Sequence, residues 1–240
     1  MSTEPAASDP APRAAEEPGS RRRLPIGVLI SGQGTNLNAI LQACRLGTLD
    51  ADVRLVISNR PDAPGLRFAT EAGVPTAVMQ RSDYPSREAQ QRAMLDALMG
   101  AGVELVVLAG FDQILSDELV HRFPARILNV HPSLLPAFGG GMHAIRDALD
   151  YGVKITGVTV HFIVAELPGV DSGPIALQEA IPVLDDDTEV TLLARIHAVE
   201  HRLLPTAIQL IGEGRLIVAG RRTRIVARTP VDIISRSPMG

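Results

Sequence analysis

The chain has little of what several large protein classes require. It contains one cysteine, Cys44, and no tryptophan among its 240 residues. A single cysteine excludes an internal disulfide and a cysteine cluster for zinc, and it fits a reducing compartment. The chain also lacks a run of roughly 18 apolar residues that could span a membrane, and its N-terminus lacks the apolar stretch of a secretion signal. We therefore expect a cytoplasmic protein with no membrane partner.

Excess positive charge is absent as well. The net charge is −4, and the basic residues are scattered apart from Arg21–Arg23 and an Arg-rich C-terminus. A nucleic-acid-binding protein usually presents a broad cationic face, so we expect small-molecule partners and no nucleic acid. The sequence leaves open whether the protein forms a homodimer.

The composition divides the chain into one domain and two tails. Residues 1–23 are rich in Ala, Pro, Glu, Ser and Arg without apolar periodicity, which predicts a disordered tail. Residues 219–240 are rich in Arg and Ser and predict a loosely attached C-terminal tail. Residues 24–218 form a segment that is long and apolar enough for a single domain.

Within that domain, short β-branched runs alternate with helical stretches. The predicted strands are Ile26 to Ser31, Val53 to Ser58, Thr76 to Met79, Glu104 to Ala109 and Arg126 to Val130. The predicted helices are 35–46, 64–72, 86–100 and 116–122, the third capped by Ser86. This order predicts an α/β fold: a doubly wound, mostly parallel, Rossmann-like sheet of about seven strands with helices on both faces.

The pattern changes after residue 150. Residues Gly157 to Ile163 alternate polar with apolar side chains, which predicts a strand with one wetter face that pairs antiparallel. A long amphipathic helix follows from about Thr188 to Gly212, and we expect Pro205 to kink it.

A glycine-containing motif occupies residues 31–36, where an apolar strand ends and a helix begins. Glycines allow close approach of a ligand to the backbone, and free N–H groups at a helix start favour an anion such as phosphate. A dinucleotide fingerprint would need glycine in place of Leu37, and a Walker loop would need Gly-Lys-Ser/Thr. A simple tight turn is the alternative.

Polar residues follow the strand that ends at Val130. Asn129 and His131 lie two residues apart, and therefore on one side of a strand, at the sheet edge where ligands bind in such folds. Asp171 lies in the turn-rich segment 167–174, where it could orient a histidine or cap a turn. On its own, His131 is equally well explained as a structural histidine.

The segment His197-Ala198-Val199-Glu200-His201 matches the H-x-x-E-H pattern of some zinc peptidases. No third ligand is evident, so we expect no metal and interpret the segment as a polar helix face near a ligand.

Together these motifs resemble the folate-dependent formyltransferase family. The similarity covers about Ile26 to Leu216 and includes SGQGTNL at 31–37, ISNRPDAPGL at 57–66, VVLAGF at 106–111, LNVHPSLLPAF at 128–138, TGVTVHF at 156–162, DSGPI at 171–175 and EHRLLP at 200–205. The resemblance implies an enzyme of purine synthesis and one-carbon metabolism. Its co-substrate would be 10-formyltetrahydrofolate, and its formyl acceptor the amine of glycinamide ribonucleotide.

The resemblance also implies roles for individual residues. Asn129, His131 and Asp171 would be catalytic, with the oxyanion of a tetrahedral intermediate stabilised by the first two. The phosphate and ribose would be bound by Gly34, Thr35, Asn36 and Glu200. The folate pocket would be lined by Arg87, Asp112, Gln113, Ile114, Leu115 and Asn129. Typical members carry Met-Arg where this chain has Asp112-Gln113.

Three alternatives remain. A formyltetrahydrofolate hydrolase shares the Asn, His and Asp constellation and uses water as acceptor, but usually carries an N-terminal regulatory domain. Another formyltransferase of the family, one that acts on methionyl-tRNA, would need a long C-terminal domain and a basic surface. A non-catalytic nucleotide- or folate-binding module would have no need of Asn129, His131 and Asp171 together.

Overall fold

The computed structural model describes residues 22–165, 167 and 169–227. Its strands are β1 Leu24–Ile30, β2 Ala51–Ser58, β3 Thr76–Val78, β4 Leu105–Leu108, β5 Ile127–His131, β6 Ile155–Phe162, β7 Ile175–Pro182, β8 Leu216–Ala219 and β9 Arg222–Ile225. Its helices are α1 Thr35–Arg45, α2 Leu66–Glu71, α3 Arg87–Gly100, α4 Asp117–Arg122, α5 Ala144–Tyr151 and α6 Glu189–Gly212.

Seven strands form one sheet in the order β3-β2-β1-β4-β5-β6-β7. Strands β1 to β5 pair in parallel, whereas β6 pairs antiparallel with both β5 and β7. The predicted mostly parallel sheet and the antiparallel pairing of the second half are both confirmed.

Side chains of the central strands point alternately to two hydrophobic cores. In β1, Ile26, Val28 and Ile30 pack with α1 and α6 on one face of the sheet, and Leu29 packs with α3 and α4 on the other. Burial on both faces explains why these strands are almost continuously apolar in sequence. The predicted doubly wound arrangement is therefore confirmed.

The predicted helix starts and ends agree closely with the structure. The Ser86 hydroxyl accepts a hydrogen bond from the Ala89 N–H at 3.1 Å and caps α3 as predicted. Helix α6 continues through Pro205 to Gly212 and packs along α1 and the sheet. Among the described residues, no helix combines the length and the apolar character needed to cross a membrane.

The C-terminal boundary predicted at residue 218 needs correction. Strands β8 and β9 pair as an antiparallel hairpin across that boundary, so residues 219–225 are ordered structure and not a tail. The Thr223 hydroxyl donates a hydrogen bond to the Ile175 carbonyl at 2.7 Å, which anchors the hairpin on β7. Residues 1–21 of the predicted N-terminal tail and residues 228–240 lie outside the described part of the chain.

Strand β6 requires glycine at position 157 because the sheet packs closely there. A Cβ atom added to Gly157 would lie 2.2 Å from the Glu179 carbonyl oxygen and 2.6 Å from Cδ2 of Leu134. Backbone cannot yield as a flexible side chain can, so a methyl group must push β6 and β7 apart.

We therefore predict that Gly157→Ala destabilises the protein by about 1–3 kcal/mol, the usual cost of overpacking. Gly100→Ala is the matched control, because the added methyl at the end of α3 meets open space. Urea unfolding measures both variants. A Gly157→Ala midpoint equal to that of the wild type would contradict the close packing of this strand pair.

Candidate functional site

The predicted site residues lie at one edge of the sheet. Strands β1, β2, β4 and β5 are parallel, so the segments that follow them meet at their shared carboxyl edge, where ligands bind in open α/β sheets. β4 lies between β1 and β5. The residues after β1 and those at the end of β5 are therefore separated by two strand spacings, about 10 Å.

The structure brings Asn129, His131 and Asp171 together. Nδ2 of Asn129 donates to Oδ1 of Asp171 at 3.3 Å, and Nδ1 of His131 lies 3.4 Å from Oδ2 of the same carboxylate. The side chains of His131 and Asp171 are less than a tenth exposed. Two segments 40 positions apart in the chain thus form one buried polar cluster.

His161 is a fourth member of the cluster that the sequence motifs did not assign to the site. It lies opposite Asn129 in the antiparallel β5–β6 pair, so both side chains stand on the same face of the sheet. Its Nε2 lies 3.1 Å from Nδ2 of Asn129 and 3.5 Å from Oδ1 of Asp171. The polar side chain of His161 in this alternating strand is a sequence signal, but its partner depends on the register of the two strands.

Asp171 combines an unusual backbone conformation with a buried carboxylate. Asp171 has a φ of 57°, a left-handed conformation that is uncommon for residues other than glycine. Burial acts to raise the pKa of this carboxyl. The hydrogen bond from His161, the Gly140 N–H at 2.9 Å and the charge of His131 outweigh burial, so that the pKa is lowered. Asp171 therefore remains ionised at neutral pH.

Both ring nitrogens of His131 have partners. Nδ1 faces Asp171, and Nε2 lies 2.9 Å from the carbonyl oxygen of Phe138. Phe138 also has a positive φ, of 55°, in the turn that follows β5. This turn therefore covers the imidazole on the side away from the carboxylate.

A cleft of about 440 Å³ opens beside this cluster. It is lined by Leu135, Pro136, Gly139, the loop 170–173, Ile175 and Arg221 of the β8–β9 turn. Sites for small organic ligands usually measure about 300–1,000 Å³, so the cleft is large enough for such a molecule.

The predicted phosphate motif starts α1. Gly34 has a φ of 70° and immediately precedes the helix, and Thr35 and Asn36 form its first turn. A Cβ atom on Gly34 would lie 2.5 Å from Cα of Gly65, so the loop also needs glycine for space. The first N–H groups of a helix have no acceptor within it and carry the positive end of its dipole.

Glu200 of α6 is joined to this helix start. Nδ2 of Asn36 donates to Oε2 of Glu200 at 2.9 Å, and both residues are buried. Burial raises the pKa of the Glu200 carboxyl to about 7, although the hydrogen bond from Asn36 opposes the shift. The structure thus brings together the residues predicted for phosphate and ribose binding.

The residues predicted to line the folate pocket have diverse environments. The Arg87 guanidinium donates to the Ile114 carbonyl oxygen, which also accepts from Nε2 of Gln91 at 2.7 Å. The Ile114 side chain is exposed, while Leu115 is buried in the core.

The first two residues of the predicted folate segment turn their side chains inward. The Asp112 carboxylate is bonded to other residues of the protein. Oε1 of Gln113 is buried without a hydrogen-bond partner among the described residues. The segment 112–115 therefore presents backbone and Ile114 more than charged side chains.

The histidines of the H-x-x-E-H segment stack on each other. The ring centroids of His197 and His201 are 5.7 Å apart with planes 14° from parallel. In the part of the chain that the structure describes, no three His, Cys, Asp or Glu side chains form a group suited to a metal ion.

The sequence of the chain is similar to those of known formyl transferases. The model of the formyl transferase family matches residues 24–208. The chain is 42% identical over 191 residues to phosphoribosylglycinamide formyltransferase of Escherichia coli strain K12, covering 80% of this chain and 88% of that protein. It is 43% identical over 202 residues to trifunctional purine biosynthetic protein adenosine-3 of Drosophila melanogaster, covering 83% of this chain but only 15% of that protein.

The fold of the chain also occurs in solved structures. Glycinamide ribonucleotide transformylase 1 from Symbiobacterium toebii has a TM-score of 0.84 and 50% sequence identity, covering 90% of this chain and all of that one. A formyltetrahydrofolate deformylase from Pseudomonas syringae shares the fold at a TM-score of 0.78 and 24% identity, covering 85% of this chain and 66% of that one.

The buried Glu200 carboxyl makes stability depend on pH. Its pKa is about 7 in the folded state against an ordinary value of 4.5, so between these values the folded state holds a proton that the unfolded chain releases. Folding therefore becomes less favourable as pH rises through this window. The full difference corresponds to about 3 kcal/mol.

We predict that Glu200→Gln, which keeps an acceptor for Asn36, gains about 2 kcal/mol or more over the wild type between pH 5 and pH 8. His197 and His201 titrate in both proteins and cancel in the comparison. The exposed Glu71→Gln is the control, and denaturant unfolding at each pH is the measurement. A constant difference between Glu200→Gln and wild type would show that Glu200 is ionised throughout.

Proposed function

Since the chain belongs to the formyl transferase family, we propose that it transfers a formyl group from 10-formyltetrahydrofolate to the amine of glycinamide ribonucleotide. The products are formylglycinamide ribonucleotide and tetrahydrofolate. The proposal is supported by the names of relatives that the chain covers almost completely. The observation that carries it is that the glycine-containing start of α1 and the buried Asn129, His131 and Asp171 cluster lie at the same sheet edge.

The cluster has the groups that formyl transfer needs. The substrate amine attacks the formyl carbon, and the carbonyl oxygen becomes an oxyanion that Nδ2 of Asn129 and the His131 ring stabilise by hydrogen bonds. The bond from the formyl carbon to the folate nitrogen then breaks. The proton lost by the attacking amine is delivered to that nitrogen, with His131 as the shuttle. Asp171 stabilises the positive charge that develops on the imidazole.

The phosphate would lie against the first turn of α1. Backbone N–H groups of Gly34, Thr35 and Asn36 would donate to its oxygens, and Glu200 would contact the ribose. The separation of about 10 Å between this helix start and Asn129 suits a ligand with a phosphate at one end and a reacting amine at the other.

The folate would lie along residues 112–115 and Arg87, mainly against backbone groups, with its formyl group next to Asn129. The proposal also requires one movement. Nε2 of His131 is occupied by the Phe138 carbonyl, so the turn after β5 must release this nitrogen before it can contact the reacting groups.

Formyl folate turnover with and without glycinamide ribonucleotide tests the proposal. We expect tetrahydrofolate to form only when the acceptor is present, in equal amount to formylglycinamide ribonucleotide. Deformylation at the same rate without the acceptor would instead assign the chain to the hydrolases. Binding of both ligands without any turnover would favour a binding module.

The close packing of Gly34 gives a prediction for the phosphate end. Gly34→Ala places a methyl group against Gly65 and strains a left-handed residue. We expect it to raise the KM for glycinamide ribonucleotide at least tenfold, about 1.4 kcal/mol, with little change in folate affinity. Gly100→Ala, far along the chain at the end of α3, is the control, since its methyl meets nothing within 4 Å. Equal losses for both ligands by calorimetry would argue against a phosphate site here.

Asp171→Asn gives a prediction for the chemical step. Asparagine fills the same space but lacks the charge that supports His131, so we expect turnover to fall by about 10²–10⁴ while affinity for glycinamide ribonucleotide stays near wild type. The exposed Asp186→Asn serves as the control. The measurement is kcat and KM from pH 6 to 9.

A double variant tests whether the pair acts as one unit. His131→Ala should fall in the same range, and the combination with Asp171→Asn should be little worse than the worse single variant. If Asp171→Asn keeps more than about a third of the wild-type turnover, Asp171 is only a turn residue and His161 becomes the next candidate for the proton shuttle.

A further inference from the structure

Three residues close a ring of hydrogen bonds at the carboxyl edge of the sheet. The Ser31 hydroxyl donates to Oδ1 of Asn59 at 2.6 Å, and Nδ2 of Asn59 donates to Oδ1 of Asp112 at 2.7 Å. The Asp112 N–H donates back to the Ser31 oxygen at 3.0 Å. The Ser31 hydroxyl also lies 2.9 Å from Oδ1 of Asp112, so its single proton is shared between Asn59 and Asp112. Arg60 adds an ion pair to the other carboxylate oxygen of Asp112.

The ring spans the point where the sheet reverses its winding. Ser31 follows β1 and Asp112 follows β4, and these two strands are neighbours in the sheet. Helix α1 after β1 packs on one face, whereas α4 after β4 packs on the other. The chain thus leaves the two strands in opposite directions and opens the crevice in which ligands of such folds bind. The ring holds the two sides of this crevice together.

Each side of the ring leads directly into one of the proposed substrate subsites. Ser31 immediately precedes Gly32–Asn36, the proposed phosphate loop, and its N–H also donates to the Gly110 carbonyl at 3.0 Å. Asp112 immediately precedes Gln113–Leu115 of the proposed folate segment. The position of Asp112 therefore affects the position of both segments.

The Asp112 carboxylate binds residues of the protein and not a ligand. Its side chain is 18% exposed, and both oxygens already accept hydrogen bonds. Burial would raise its pKa, but the hydrogen bonds from Asn59 and Ser31 and the charge of Arg60 lower it, so the ionised form persists. Charge-assisted bonds of this kind are stronger than neutral ones and fix geometry well.

We propose that Asp112 is a positioning residue that couples the two substrate subsites, because it sets the phosphate loop through Ser31 while it carries the folate segment on its own backbone. This inference rests on the proposed function for the identity of the two ligands. It replaces a direct role for the Asp112 side chain in folate binding with an indirect role in binding both substrates.

Asp112→Ala tests the coupling. The variant removes the carboxylate that Asn59, Ser31 and Arg60 contact, while the backbone N–H of residue 112 still reaches Ser31. We expect the KM for glycinamide ribonucleotide and that for 10-formyltetrahydrofolate each to rise about tenfold, with kcat reduced less than about threefold. Asp112→Asn keeps an oxygen for Asn59 but loses the charge and the acceptor for Arg60, so both KM values should rise less than in Asp112→Ala. Ser31→Ala breaks the ring at its other end and should reproduce the loss for both ligands.

Asp96→Ala on the exposed face of α3 is the matched control and should behave as wild type. The Ser31→Ala and Asp112→Ala double variant should be little worse than Asp112→Ala, because both remove the same ring. Calorimetry with glycinamide ribonucleotide alone, without the folate, checks that the loss on the phosphate side does not depend on turnover.

Three outcomes would overturn the inference. A rise in the folate KM alone would make Asp112 a direct folate contact. A lower Tm and kcat with both KM values unchanged would make it only a structural residue. Ser31→Ala with wild-type affinities would break the link to the phosphate loop, and it decides the question even if Asp112→Ala does not fold. A wild-type chain that binds both ligands without formyl transfer would overturn the proposed function but leave the binding comparison valid.

Discussion

The carboxylate of Asp171 accepts contacts from several separate segments of the chain. Asn129 and His131 come from β5, His161 comes from β6, and the Gly140 N–H comes from the turn that follows β5. A buried charge is costly unless polar groups surround it. These contacts compensate for the burial and fix the imidazole and the amide relative to one another. The arrangement of the whole cluster therefore depends on this one ionised group.

The topology of the sheet determines what can lie next to Asp171. Because β1, β4 and β5 are parallel neighbours, the proposed phosphate loop, the Asp112 ring and the Asn129 cluster follow one another along a single edge. Strand β6 runs in the opposite direction, so its chain leaves the sheet beside the β5 start. The loop between β6 and β7, which carries Asp171, then brings a late segment of the chain back to Asn129 and His131.

Local signals explain what could be predicted from the sequence. Apolar runs marked β1, β2, β4 and β5, and Ser86 marked the start of α3, because burial on both faces and helix capping leave short-range patterns. Helix α5 and strand β7 were not predicted. Helix α5 is eight residues long, with two of them buried, and β7 has buried residues at only two of its eight positions. Each element therefore leaves only a short apolar pattern in the sequence.

Contacts between distant segments explain what the sequence did not reveal about the site. The place of His161 depends on its register opposite Asn129, and the inward turn of Asp112 depends on Ser31 and Asn59, which are 81 and 53 positions away. No local pattern specifies such distances. Similarly, the C-terminal hairpin has an Arg-rich sequence typical of an exposed segment, yet Leu216 is buried in the core and Thr223 is hydrogen-bonded to β7.

The charge of Glu200 bears directly on how the helix start could hold a phosphate. The segment 31–36 contains no Lys or Arg, so an anion there depends on backbone N–H groups and on the helix dipole, which together contribute modestly. An ionised Glu200 bonded to Asn36 would repel a phosphate dianion across the same helix turn. Burial keeps this carboxyl protonated up to a pH of about 7, which removes the repulsion. A buried, protonated Glu200 is thus compatible with a site that binds an anion without a cationic side chain in its loop.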